Sequence, residues 1–203
     1  MRIGVFGGTF DPVHVGHLIL AEQCREQGEL GEVWFVPSAR PPHKLDAVVT
    51  PFDRRADMLT LAITGQPQFR VDRLERDRPG PSFTADTLDE LRQRHPEHTF
   101  ALIVGADVLP DLKTWRDPKR ILAAAELLAA ARPGFGMMSA EDVAADLSIP
   151  TEAVRLRRVE MPQLEVSSRD IRRRVAEGRT IRYLTPRAVE EYVRERKLYG
   201  EPR

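Results

Sequence analysis

The sequence predicts an α/β protein: a doubly wound, mostly parallel sheet with a small helical portion at its C-terminal end. Three features point there. Short apolar runs bounded by Gly or Pro alternate with longer segments of helical periodicity along the whole chain. The run Thr99 to Val104 is nearly continuously apolar, as strands buried on both faces of a parallel sheet are. The first run closes on Gly7-Gly8, at the strand end where such sheets bind ligands.

Each element follows from its own signals. Arg2 to Phe6 is a strand entering a turn. Val15 to Gln27 reads as a helix, with Leu18, Leu20, Ala21 and Cys24 at three- and four-residue spacings and Gly28 as its stop. Glu32 to Val36 is a second strand closed by Pro37, and residues 38–50 form a polar loop. Pro51 suits a first helical turn and precedes the apolar face Ala56, Leu59, Ala62 and Ile63. Phe69 to Leu74 reads as a strand; Ala85, Leu88 and Leu91 mark a helix beyond Pro79-Gly80-Pro81 and Ser82. After Thr99 to Val104, Ile121 to Ala124 is helical and Glu126 to Ala131 strand-like. Ser139 with Asp142, and Ser167 with Asp170, have capping-box spacing. Val154 to Val159 is the last strand, and Thr185-Pro186 opens a helix carrying Val189, Tyr192 and Val193. No internal repeat or linker divides the chain, so residues 1–203 read as one domain.

Composition narrows the function. Thirty-one Lys and Arg balance thirty-one Asp and Glu, which argues against a nonspecific nucleic-acid binder but not against a local pocket for a small anion. The single cysteine, Cys24, excludes an intramolecular disulfide and a multi-cysteine metal site, and it suits the reducing cytoplasm. The apolar stretch Ile121 to Ala131, broken by Glu126, is far short of the roughly 20 residues that span a bilayer. Gly7, Gly8, Asp11 and Pro12 interrupt any signal-peptide core. Nothing in the composition sets an oligomeric state.

The segment Gly7-Gly8-Thr9-Phe10-Asp11-Pro12-Val13-His14-Val15-Gly16-His17 carries the most chemistry. Glycines after a strand let backbone N–H groups approach a phosphate, and the following helix points its positive end there. His14 and His17, three apart, can share one helix face, with Gly16 leaving room for an incoming ligand. Imidazoles readily become cations beside polyphosphate. Two other readings fit the same spacing: a capped helix start with two exposed histidines, and a zinc site completed by Asp11. Neither a Walker A loop nor Gly-x-Gly-x-x-Gly occurs.

This segment, continued to Leu18, resembles the signature of the His-x-Gly-His nucleotidyltransferases, and most closely that of the bacterial nicotinate-nucleotide adenylyltransferase family. Further landmarks resemble that family along most of the chain: Pro37 with Pro41-Pro42-His43-Lys44, Ser82-Phe83-Thr84, Gly105-Ala106-Asp107, Trp115, Ala131-Arg132-Pro133-Gly134 and Leu198-Tyr199. The family pattern Ser-Ser-Thr-x-Ile-Arg reads Ser167-Ser168-Arg169-Asp170-Ile171-Arg172 here, with arginine in place of threonine. The resemblance implies a Rossmann-like nucleotidyltransferase fold. It also implies transfer of AMP from ATP to nicotinate mononucleotide, giving deamido-NAD and pyrophosphate.

Such a reaction needs no general base, because the attacking phosphate is already an anion. Positioning and charge neutralisation carry it. On the resemblance, His14 and His17 hold the triphosphate, with His17 nearest the transferring phosphorus, and Lys44 reaches the phosphates from its loop. Gly7, Gly8, Thr9 and Phe10 offer backbone N–H groups. Ser168, at a helix start, and Arg172, one turn on, contact phosphate. Gly105 and Asp107 belong to the ATP site, with Asp107 a candidate ribose-hydroxyl acceptor. Trp115 stacks on the pyridinium ring, Phe83-Thr84 bind its carboxylate, and Arg132 meets the acceptor phosphate. Magnesium is expected on ATP phosphates and water, without a protein metal site. His95 and His98 are expected in solvent, and Cys24 on an apolar helix face. Other acceptors (amidated mononucleotide, phosphopantetheine, or a choline-type phosphate with CTP) and a nucleotide sensor without turnover remain alternative readings.

Overall fold

The computed structural model describes residues 1–42, 48–130 and 138–200. Six strands form one sheet: β1 Arg2–Gly8, β2 Glu32–Pro37, β3 Phe69–Val71, β4 Thr99–Gly105, β5 Ala125–Ala130 and β6 Leu156–Val159. Their order is β3-β2-β1-β4-β5-β6, and every pairing is parallel. The chain starts at the centre, winds outward to β3, then crosses back to β4 on the other side of β1. The direction of winding therefore reverses between β1 and β4, and a crevice opens there beyond the carboxyl ends of both strands. This is the doubly wound parallel sheet that the alternating pattern predicts, and the Rossmann-like arrangement that the resemblance implies.

Helices cover both faces. α1 (Val15–Gln27), α2 (Phe52–Ala62), α6 (Ser168–Ala176) and α7 (Arg187–Glu195) bury Leu20, Cys24, Met58, Leu59, Ile171, Val189 and Val193 with Phe6, Phe35 and Ile103 of the sheet. α3 (Thr84–Arg94), α4 (Pro118–Ala124) and α5 (Ala140–Leu147) bury Leu88, Leu91, Ile121 and Val143 against Ile3, Val5 and Leu102. Successive strand residues point to opposite faces, so the unbroken apolar run of β4 supplies both cores. Each fully buried side chain of this size contributes roughly 1.5–3 kcal/mol. Cys24 is fully buried on α1, and burial pushes its thiol up to about 12, as an inert apolar helix residue requires.

The structure corrects several details. β3 stops at Val71, because the Asp72 carboxylate turns back to accept the Leu74 N–H. β6 begins at Leu156, after a 3₁₀ turn at Thr151–Ala153. A 3₁₀ segment at Ala106–Thr114, unpredicted, follows β4. The box at Ser139 and Asp142 forms in full. At α6 only half of one forms: Ser167 accepts the Asp170 N–H, while the Asp170 carboxylate is drawn to Arg173 and Arg174. Thr185 caps nothing; Pro186 is the N-cap of α7. His95 and His98 are only partly in solvent, with side chains 27% and 17% exposed.

One buried cation ties the loops at the carboxyl edge to a helix. Arg55, on the inner face of α2, is 1% exposed. It donates to three carbonyl oxygens: Thr50 at 2.7 Å, Thr9 at 2.8 Å and Ser38 at 2.8 Å. Burial lowers the pKa of the guanidinium, and the Asp11 charge opposes that fall. Arg55→Met keeps the bulk but leaves three carbonyls without their donor. It is expected to lower unfolding free energy by about 3 kcal/mol, read as a shift of the urea midpoint at constant slope. A loss under about 0.5 kcal/mol, within the range of ordinary surface substitutions, would show that the loops close without it.

Candidate active site

A cavity of about 540 Å³ occupies the crevice between the ends of β1 and β4. Gly7, Gly8, Thr9, Phe10 and His17 line one side; Gly105, Asp107 and Trp115 line the other, with Phe83 and Thr84 at the start of α3. Ten expected site residues thus meet in one cavity, although the sequence spreads them over more than a hundred positions.

The glycine-rich loop is shaped by its own aromatic residue. Phe10 adopts a left-handed backbone (φ 49°) and is 2% exposed. Its ring lies 3.0–3.2 Å from where a Cβ on Gly8 would stand. A side chain at Gly8 would therefore collide with the anchor of the loop. Gly16 has a related role: a Cβ there would lie 3.1 Å from His14 Nδ1. It makes room for His14 rather than for a ligand.

His14 and His17 do share one face. Their rings stack at 3.6 Å with a 25° interplanar angle. His14 is the N-cap of α1 and is buried, so the reading with two exposed histidines fails. Its backbone N–H donates to His17 Nδ1 at 3.2 Å. In a neutral His17 ring this puts the proton on Nε2, leaving one directed donor. Phe10 packs edge-on to His17 at 5.0 Å and Phe6 lies tilted at 5.9 Å, fixing the ring plane. Two imidazolium rings stacked this closely would repel, so the pair suits one oriented donor better than two cations. The zinc reading also loses its third ligand, because the Asp11 carboxylate accepts the Tyr199 hydroxyl at 2.6 Å and the Thr50 N–H at 3.2 Å.

The C-terminal segments grip the loop from behind. Ser168 Oγ donates to the Pro12 carbonyl (2.8 Å), Arg172 Nη1 to that of Asp11 (2.6 Å) and Thr185 Oγ1 to that of Val13 (2.9 Å). The Val15 N–H donates in turn to the Leu184 carbonyl at 3.0 Å. Ser168 and Arg172 thus bind the loop's backbone here and do not line the cavity. Arg169, the departure from the family pattern, is exposed. Tyr199 is held beside Asp11, and burial followed by the Asp11 charge drives its phenol well above the usual range.

The side of the cavity formed by the start of α3 has its own polar frame. Ser82 Oγ accepts the backbone N–H groups of Ala39 (3.0 Å) and Arg40 (3.1 Å), joining the loop after β2 to the entry of α3. Glu75, 5% exposed, takes the Thr87 hydroxyl and the Ala39 N–H, with Arg78 at 3.9 Å. Arg116 lies over the Phe83 ring at 4.8 Å and lines the cavity beside Trp115. Lys44 and Arg132 lie outside the described residues.

Sequence reasoning missed Arg55, Glu75, Arg116, Thr185 and the inward role of Tyr199. Only Arg55 left a signal, a charge on the face of α2 that Ala56 and Leu59 mark as buried. The others act through contacts that no local pattern encodes.

Known proteins place the fold and the site in context. A family model described as cytidylyltransferase-like matches residues 5–174. A probable nicotinate-nucleotide adenylyltransferase of Thermus thermophilus is 46% identical over 199 residues, covering 98% of this chain and all of that protein. One from Exiguobacterium sibiricum is 44% identical over 200 residues, with 98% and 100% coverage. Among solved structures, a Plasmodium falciparum nicotinic acid mononucleotide adenylyltransferase complexed with NaAD superposes with a TM-score of 0.80. It is 20% identical and covers 98% of this chain and 97% of its own, a likeness of fold. The match spans both the loop after β1 and the start of α6, and this chain belongs to the cytidylyltransferase-like family and, within it, to the nicotinate-nucleotide adenylyltransferases.

Proposed function

We propose that this protein transfers AMP from ATP to nicotinate mononucleotide. A phosphate oxygen of the acceptor attacks the α-phosphorus of ATP, the bond to the β-phosphate bridging oxygen breaks, and deamido-NAD and pyrophosphate leave. The observation that carries this reading is the make-up of one cavity. A glycine loop and an oriented imidazole lie at the end of β1, and an aromatic surface with a helix N-terminus lies beyond β4.

The attacking oxygen is already ionised, so the protein must align two polyanions and stabilise charge as the pyrophosphate departs. Backbone N–H groups from Gly7 to Phe10 hold oxygens of the α-phosphate. His17 donates through Nε2 to the transferring phosphoryl group, and His14, stacked behind it, sets the ring's plane and supports the triphosphate. Ser168 and Arg172 serve the phosphates from behind, by holding the loop through its Pro12 and Asp11 carbonyls. Lys44 completes the phosphate contacts. Gly105 and Asp107 take the ribose of ATP.

On the acceptor side Trp115 stacks against the pyridinium ring. Phe83 and Thr84, at the positive end of α3, take its carboxylate, and Arg132 takes the acceptor phosphate. Magnesium is the expected ion. The cavity's carboxylates among the described residues are Glu75 and Asp107, and Glu75 is engaged by Thr87 and Ala39. The donor set therefore fits an ion that arrives on ATP phosphates and water rather than in a protein cage. Bound there, it neutralises phosphate charge. The single cysteine supports a cytoplasmic setting, and the shared sheet supports one domain.

Pyrophosphate release from ATP, Mg²⁺ and nicotinate mononucleotide tests the reading directly. Faster turnover with amidated mononucleotide, phosphopantetheine, or choline phosphate with CTP would reassign the acceptor. ATP binding without any product would indicate a sensor. His17→Ala is expected to lower kcat by about 10²-fold or more, as loss of a transition-state donor does. Parental turnover in a folded variant would remove His17 from the mechanism. Trp115→Ala is expected to raise KM for the mononucleotide much more than KM for ATP; equal effects on both would refute stacking.

A further inference from the structure

Far from the crevice, at the amino-terminal edge of the sheet, the turn from α3 into β4 reads His95-Pro96-Glu97-His98. Among the described residues this is the one group whose His, Cys, Asp or Glu ligand atoms come together, all within 4.8 Å of one another. His95 Nδ1 lies 3.7 Å from Glu97 Oε1, and His98 Nε2 lies 3.3 Å from the same oxygen. Bonds of about 2.0–2.2 Å to a tetrahedral zinc ion set ligand atoms roughly 3.3–3.5 Å apart. The two spacings to Glu97 Oε1 are close to that before any ion enters, and the two imidazole nitrogens lie within 4.8 Å of each other.

The fold holds these side chains in place. His95 is the C-cap of α3, its N–H bonded to the Leu91 carbonyl at 2.9 Å, and the His98 N–H closes the turn on the His95 carbonyl at 3.1 Å. The two rings are parallel to within 8°, with centroids 5.7 Å apart. Both stand edge-on to the Trp34 indole, at 4.9 and 5.9 Å. Trp34 is itself fixed by Glu32, which accepts its Nε1–H at 2.7 Å. His98 turns Nε2 toward Glu97 and keeps its other ring nitrogen, Nδ1, buried on the far side, so the neutral ring would carry its proton on Nδ1 and offer Nε2 as the ligand. Glu97 is 60% exposed, so the group opens to solvent on its carboxylate side. Arg94, next to His95 in sequence, is paired with Glu90, and the Met1 ammonium donates to the Glu97 carbonyl at 3.5 Å rather than to its carboxylate.

We infer that His95, Glu97 and His98 form a zinc-binding site, separate from the nucleotide cavity and facing solvent. Two neutral imidazoles and one carboxylate give a borderline-soft donor set with a single negative charge, which suits Zn²⁺ over Mg²⁺ or Ca²⁺. Three protein ligands leave the fourth position to water. Of the seven-residue stretch from Arg94 to Phe100, only these three side chains supply ligands, and none belongs to the proposed catalytic machinery.

Titration of the full-length, metal-free protein with Zn²⁺ against a chromogenic chelator at pH 7.5 tests this. One equivalent is expected to bind, and Co²⁺ is expected to give the visible spectrum of a four-coordinate nitrogen and oxygen site. Glu97→Gln, at an exposed position that leaves the fold intact, and His95→Ala with His98→Ala are each expected to weaken binding. The loss should reach at least the roughly 10–100-fold that disturbing even an outer-shell partner costs. AMP transfer should remain at parental rate in the Glu97 variant. His14→Ala with His17→Ala should still bind one Zn²⁺. Absence of saturable binding would overturn the inference. So would binding unchanged by the Glu97 substitution, or binding lost only with His14 and His17.

Discussion

An anion-binding loop must present N–H groups to its ligand, and its carbonyl oxygens must then be satisfied elsewhere. In this protein they are satisfied by donors from distant parts of the chain. The Gly8 carbonyl takes the Ser38 N–H, and Thr9, Asp11, Pro12 and Val13 take Arg55, Arg172, Ser168 and Thr185. Two of these donors are guanidinium groups, so the partial negative charge of the carbonyls is offset on the side away from the cavity. The rest of the site depends on this arrangement. Without it the loop would be left with unsatisfied carbonyl lone pairs.

The same constraint explains why α6 and α7 pack where they do. Ile171, Val189 and Val193 anchor both helices to the sheet face that carries α1 and α2. Ser168, Arg172 and Thr185 then reach the loop after β1, more than 150 positions away in sequence. Helices that look like a terminal appendage in the sequence are the rear support of the glycine-rich loop after β1. Tyr199 extends the grip to the Asp11 carboxylate, which also receives the Thr50 N–H, so the C-terminal end and the entry to α2 converge on one side chain.

The two halves of the cavity use different physics. At the end of β1 the protein offers directed donors held by stacking and by a backbone hydrogen bond to His17 Nδ1. Beyond β4 it offers a half-buried indole, a helix N-terminus and a guanidinium lying on Phe83. The first arrangement suits tetrahedral polyanions and the second a flat charged ring. The second half is backed by a polar frame, in which Glu75, Ser82 and Thr87 bind the loop after β2 to α3.

Most of the architecture was legible because it rests on local periodicity. The residue choices of Val15 to Gln27 and of Thr99 to Val104 state their own elements, and Gly7-Gly8 marks the strand end where ligands bind. The motif His14-Val15-Gly16-His17 could likewise be read as two rings on one face. Tertiary structure alone decided that these rings stack with one nitrogen already used, that Gly16 clears space for His14, and that Ser168 and Arg172 act on the loop's carbonyls. It also decided that Arg55 is buried and that His95 and His98 lean on Trp34. The physical reason is range: propensity and periodicity act over a few residues along the chain, whereas hydrogen-bond satisfaction and ring packing act between residues that meet only once the sheet has closed.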